Sequence, residues 1–435
     1  MGSSVDFGSA ARDSRSHTDV GWPAEDLERR LIGALDFAAA VVSEFGESGY
    51  ADEVRPALGF GPEKVIAEAT MLAYAAAGVT QATAVVDRVD ALARQLVPHV
   101  RSPQALADMV LNPDRVFKRC VPHVLLSVLG FHDDLFDDFA FERCQRTMTH
   151  AVDEPATVHA ERRWIGEVWK RPLRQLVDGE AGTALHQPLE LLTDSREDAY
   201  GLTHLLFYVS DFGRAPRRNF GRPIEELLKD VDALVVRYLD EEDYDLTAEL
   251  LMAWPQLREP WSPTATFAFR VLADLEDQVG VLPCGNLDPK RLTALDGEER
   301  RRYARAASYH TAFVMGFLCA ASLRHGMAPP RGIRGPEYAE GAVSALEVRL
   351  GSDRRHWRSA LERCDPSERR TLVPTLNELV VMRALRRRDF REAEECRVAA
   401  QLFGVPPDAW QNAASETLDA ITQGIVVRER ESGND

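Results

Sequence analysis

Cysteine is scarce and scattered in this sequence. Cys120, Cys144, Cys284, Cys319, Cys364 and Cys396 form no Cys-x-x-Cys pair and no tight framework. That pattern fits reduced thiols, and any metal site must be assembled from distant positions. No long Lys/Arg block offsets a formal charge of −17. An acidic surface of this kind repels a phosphate backbone, so nucleic acid is not an expected partner. The N-terminus lacks the charged, apolar, then small pattern of a secretory signal. The longest apolar stretch near the middle, Ala312 to Leu323, is too short to span a bilayer. The expectation is a cytoplasmic protein with no membrane partner. Glycine-rich phosphate loops and nucleophile elbows are absent, and so are alternating β-branched runs.

What is present is helical periodicity over 435 residues that are 45% hydrophobic, enough for a sizeable core. The fold class expected is all-α. Residues 1–22 read as a disordered tail and 23–112 as N-terminal helices over Leu27–Phe45, Glu63–Ala76 and Gln81–Val97. Residues 113–330 read as helical hairpins. Helices are expected at Asp114–Gly130, Asp133–Thr149, Glu161–Leu176, Asp198–Phe212, Ile224–Leu239, Leu246–Trp254, Thr264–Val279 and Glu298–Leu323. Units of about 46 residues with two helices each point to a repeat-like array, open as a solenoid or closed as a ring. Residues 331–426 form a C-terminal helical-hairpin extension, with helices over Gly335–Gly351, His356–Cys364 and Pro374–Phe403. Ala384 to Cys396 has the cadence of one tetratricopeptide-like hairpin, suited to binding a partner protein or to capping the core. Residues 427–435 are a polar tail.

Three core segments share one layout, an ionisable cluster followed by an apolar run. They begin around His204, Asp243 and His310. His204, Tyr208 and Asp211 are spaced i, i+4, i+7 and share a helix face, where a carboxylate can orient a histidine for proton transfer. Asp245 and Glu249 are four apart, and two close carboxylates raise one pKa so that one member acts as an acid. Asp243 reads as a helix cap. His310 precedes Phe313, Val314 and Phe317 on the apolar stripe, and Cys319 falls on the opposite face. If the three helices lie side by side, two histidines and two carboxylates point into one bowl. Satisfied core histidines and ordinary caps are the alternative. Cys284, His204 and His310 have ligand chemistry for zinc, but no local spacing unites them. The expectation is no cofactor, with zinc as the alternative. Asp133 and Asp137 share the spacing of an aspartate-rich magnesium motif but have no second metal motif downstream, so they read as a capped helix start.

The hairpin period and the Gln278-Val-Gly280 turn resemble the α/α-toroid class, which includes terpenoid cyclases, prenyltransferase β subunits and lanthionine-forming cyclases. The resemblance covers roughly residues 113–330 and implies a toroid. The size of a single ring resembles the lanthionine cyclases. That likeness implies addition of a cysteine thiol to a dehydroamino acid in a ribosomal peptide. It also implies a zinc site, although the Cys-His dipeptide of those enzymes is missing. Without metal, His204 or His310 would be the base and Asp245 or Glu249 the acid. Asp243-Tyr-Asp245-Leu-Thr-Ala is similar to the class II terpene cyclase motif Asp-x-Asp-Asp-Thr-Ala, which would make Asp245 the acid and a small apolar molecule the substrate. Leu246 stands where that motif has its last Asp. A non-catalytic helical scaffold is the third reading, and it leaves His204, Asp245 and His310 apart.

Overall fold

A computed structural model describes residues 21–46, 61–147, 155–171, 173, 183–193, 195–215, 220–285, 287–352 and 354–432. The tail read at 1–22 lies outside them up to residue 20, and the polar tail at 427–435 lies outside them from 433. Among the described residues there is no strand beyond one isolated bridge, Gly21 to Pro330. The fold is all-α.

The N-terminal helices are α1 (Ala24–Ser43), α2 (Pro62–Ala76), α3 (Thr83–Val100) and α4 (Pro103–Leu111). The central ones are α5 (Val116–Val128), α6 (Asp134–Thr147), α7 (Ala156–Trp169), α8 (Arg196–Ser210), α9 (Ile224–Asp240), α10 (Tyr244–Leu251), α11 (Ala253–Leu257), α12 (Pro263–Val279), α13 (Pro289–Ala294) and α14 (Gly297–Leu323). The C-terminal ones are α15 (Glu340–Leu350), α16 (His356–Arg363), α17 (Pro366–Thr371), α18 (Val373–Arg386), α19 (Phe390–Leu402) and α20 (Ala409–Ser432).

Several ends differ from the periodicity, each for a local reason. The helix expected to reach residue 176 stops at Trp169, where Lys170 turns left-handed with φ 57°. The helix expected over 246–254 is two, α10 and α11, because Pro255 has no N–H and its ring clashes with the carbonyl four residues back. Within 374–403 the hairpin expected over 384–396 forms from α18 and α19. Arg388 turns left-handed, and Asp389 caps α19 by accepting from Glu392 N at 3.0 Å.

Packing does not follow the boundary read at 112/113. The first helix and α2 lie along α14, the last helix of the central region. Gly316 makes this possible: a Cβ there would meet the Cβ of Ala34 at 2.6 Å and Cδ1 of Leu72 at 2.9 Å. Arg30, almost fully buried, ties α1 to α12 through Glu276 and Asp277. Helices α2, α5, α7, α8, α10 and α14 touch in a closed cycle. Helix α14 with its following turn, Gly297–Gly326, is long and apolar enough to cross a membrane, but 89% of its apolar window is buried inside the protein. It is the central core helix, not an exposed apolar rod.

The C-terminal helices pack on α9 and α12. Trp410 Nε1 donates to Ala233 O at 3.0 Å, and Trp357 and Arg383 converge on Asp240. Asp232, Glu378 and Asp408 are carboxyls enclosed at this seam. Burial pushes Asp232 and Asp408 each to about 7, and burial with the two neighbouring carboxylates pushes Glu378 up. Their folded pKa lies above the unfolded value. The folded chain therefore holds extra protons there, and the contribution of these carboxyls to stability is greatest at low pH and is lost as pH rises toward and past 7. Thermal unfolding should show this contribution falling from pH 5 to pH 8, by on the order of 2 kcal/mol each for Asp232 and Asp408. Asp232→Asn should flatten part of that slope. Equal slopes in the two proteins would refute the assignment.

Candidate functional site

Helix α8 starts from a capping box in which Ser195 and Asp198 satisfy each other's backbone N–H groups. One face of its middle then carries Tyr200, Thr203 and His204, at the three- and four-residue spacing of a helix stripe. Helix α10 is capped by Asp243, which accepts from Leu246 N at 3.2 Å and pairs with Arg196 Nε at 2.6 Å. Asp245 and Glu249, one turn apart, face α8 and α14. His310 comes from the middle of α14 and Glu68 from α2.

These side chains meet. His310 Nδ1 donates to Glu68 Oε2 at 2.9 Å. Its Nε2 stands 3.5 Å from Asp245 Oδ1 and 3.5 Å from Glu249 Oε1. Thr203 Oγ1 donates to the other Glu249 oxygen at 2.6 Å, and the Tyr200 hydroxyl donates to the other Asp245 oxygen. Asp245 Oδ1 is buried and makes no hydrogen bond. His204 donates from Nδ1 to Tyr200 O at 2.9 Å, with Glu249 Oε2 3.8 Å from the same atom.

Burial disfavours charge on His310, but the carboxylates of Glu68 and Asp245 outweigh it and hold the ring well above the usual histidine range. Burial pushes the Asp245 carboxyl up; His310 opposes this, and the Glu249 carboxylate adds to it. Glu68 shows the reverse balance, its burial overcome by His310 and Lys64, so its pKa is lowered. Burial and Asp245 push the Tyr200 hydroxyl far up, which keeps it a donor.

A cavity of about 1080 Å³ opens above this group. Lys64, Glu68, Arg196, Glu197, Tyr200, His204, Asp243, Asp245, Cys284, Tyr309 and His310 are among its walls, which are mostly polar. His204 is 37% exposed into the opening, whereas Glu249 at 2% is sealed beneath it.

Four of the six residues singled out from sequence, His204, Asp245, Glu249 and His310, come together. The reason differs from the one given by the sequence pattern: His204 and His310 lie well inside α8 and α14, and only Asp245 sits at a helix start. Asp211 does not pair with His204. It ends α8 in the left-handed region at φ 50° and accepts from Tyr74 OH at 2.8 Å and Trp164 Nε1 at 2.7 Å. Tyr208 is buried against Trp164 and hydrogen-bonds Glu161, and it does not line the cavity. Cys284 lines the cavity with its sulfur 3.7 Å from Ser308 Oγ. The zinc set of Cys284, His204 and His310 is not assembled: among the described residues, the group close enough to share one ion is Asp245, Glu249 and His310. Asp133 caps Phe136 N at 3.0 Å, and Asp137 accepts from Trp169 Nε1 at 2.6 Å, so both have structural partners.

A family model described as a domain of unknown function (DUF6895) matches residues 31–320. The chain belongs to this family. The matched span holds every residue of the cavity floor, from Glu68 to His310, and stops before the C-terminal helices. No curated protein and no solved structure matches the chain.

Sequence reasoning missed Glu68, Tyr200 and Thr203. Tyr200 and Thr203 lie on the stripe that already contained His204, so spacing alone carried a signal for them. Glu68 carried none, because the helix holding it lies far upstream. Asp211→Ala should cost about 2–4 kcal/mol in urea unfolding, since it orphans two buried donors and places alanine at positive φ. It should leave the His204 cavity unchanged. A small stability loss would contradict the structural role given to Asp211.

Proposed function

We propose that the chain is an enzyme that cyclises a modified peptide by proton transfer. The observation that carries this reading is the convergence of His204, Asp245, Glu249 and His310 at the floor of one cavity. Such convergence weighs against a plain scaffold, in which these side chains would be scattered or individually buried. The closed cycle of six helices supports an α/α-toroid core.

The cavity suits a polar chain better than a terpene. At about 1080 Å³ it is at the upper limit of sites for single small molecules, about 300–1,000 Å³. Its walls carry Lys64, Arg196, Glu197 and Asp243, with Tyr200 and Tyr309 as their aromatic rings. A hydrocarbon needs apolar, aromatic walls. For a ribosomal peptide bearing a dehydroamino acid, the reaction is an isomerisation. A sulfur–carbon bond forms at the β-carbon, the carbon–carbon π bond opens, and one proton moves from sulfur to the α-carbon. His204 is the base: its Nδ1–H is spent on Tyr200 O, which leaves the Nε2 lone pair for the cavity. The proton returns from the side of Asp245, Glu249 and His310.

The test is a synthetic peptide with one cysteine and one dehydroalanine. The protein should consume the free thiol with no change in mass, well above the uncatalysed rate. His204→Ala should slow this by about 100-fold or more. Thiol loss at the uncatalysed rate with a panel of such peptides would contradict the proposal.

A further inference from the structure

The floor of the cavity has a feature that proton transfer does not require. Each of three side chains is fixed by one atom and presents the other to a common point. His310 is held through Nδ1 by Glu68 and presents Nε2. Glu249 is held through Oε2 by Thr203 and presents Oε1. Asp245 is held through Oδ2 by Tyr200 and presents Oδ1, which is buried and without a hydrogen bond. One ligand atom from each of the three residues lies within 4.8 Å of the other two.

We infer that Asp245, Glu249 and His310 bind one divalent first-row cation. The outer bonds are those a metal site uses. A ligating histidine donates its other ring N–H to a carboxylate, which fixes the tautomer and aims the lone pair, and ligating carboxylates are themselves hydrogen-bonded. Glu68 plays the first part, and Thr203 and Tyr200 play the second. Asp245 and Glu249 reach the same point because they are one helical turn apart on α10, while His310 closes the set from α14. An unpaired buried carboxylate oxygen is costly in a finished hydrogen-bond network, and a cation removes that cost.

One imidazole with two carboxylates suits zinc or manganese and serves magnesium less well, because magnesium prefers oxygen and water. Glu249 and the Oδ1 atom of Asp245 lie beneath the cavity floor, and the His310 ring lines the cavity above them. Cys284 shares the cavity but is not in the ligand group.

This inference goes beyond the proposed cyclisation and gives Asp245, Glu249 and His310 a task other than proton return; it is tested without any peptide, so its failure is distinguishable from failure of the cyclisation. The full-length protein is stripped with a chelator, dialysed and titrated calorimetrically with zinc chloride and with manganese chloride. Elemental analysis follows on the dialysed complex. One equivalent of zinc or manganese should bind. Asp245→Asn should lose at least tenfold in affinity, and Glu68→Gln, which touches no metal, should lose about 10–100-fold. Cys284→Ser should bind as the unchanged protein does. Circular dichroism and the unfolding temperature of each variant separate lost binding from lost fold. No stoichiometric binding of either ion, binding that survives Asp245→Asn combined with Glu249→Gln, or binding lost on Cys284→Ser would each overturn the inference.

Discussion

The hydrogen bond from His310 Nδ1 to Glu68 holds the floor of the cavity together. It joins α14 to α2 across the site and turns the opposite ring nitrogen toward Asp245 and Glu249. Neither partner could reach the other without the close approach of α1 and α2 to α14, and that approach depends on Gly316. A side chain there would drive into Ala34 and Leu72, and overpacking of a core contact costs about 1–3 kcal/mol. The polar centre is therefore set by an apolar contact further along the same pair of helices.

The rest of the molecule holds these helices in place. Arg30 is buried among carboxylates from two helices, and removing one partner of a buried pair costs about 3–5 kcal/mol. The C-terminal helices clamp α9 through Trp357, Arg383 and Trp410. They lie outside residues 31–320, the span matched by the family, and they brace α9, the helix preceding α10. Three carboxyls enclosed along that seam make the bracing stronger in acid than in base.

Much of the helical content was legible in the sequence because apolar spacing of 3.6 is a local signal. Helix ends were less legible. Pro255 and Arg388 break helices whose apolar pattern runs on without interruption. At the site, sequence spacing correctly joined Asp245 with Glu249, since both lie on one helix. It wrongly joined His204 with Asp211: the helix ends at Ser210, and Asp211 turns away into the left-handed region toward Tyr74 and Trp164. Glu68 was out of reach for a different reason. Its partner lies 242 positions away, and nothing in the local pattern of α2 marks that glutamate as different from a solvated one.

The most direct measurement is anomalous diffraction at the manganese edge from crystals of the full chain grown with manganese chloride. A single strong peak is predicted between His310 Nε2, Asp245 Oδ1 and Glu249 Oε1, with Glu68, Tyr200 and Thr203 still bonded to the outer atoms. No peak at that point, together with a protein group donating to Asp245 Oδ1, would contradict it. The cluster would then be a closed hydrogen-bond network with no place for an ion.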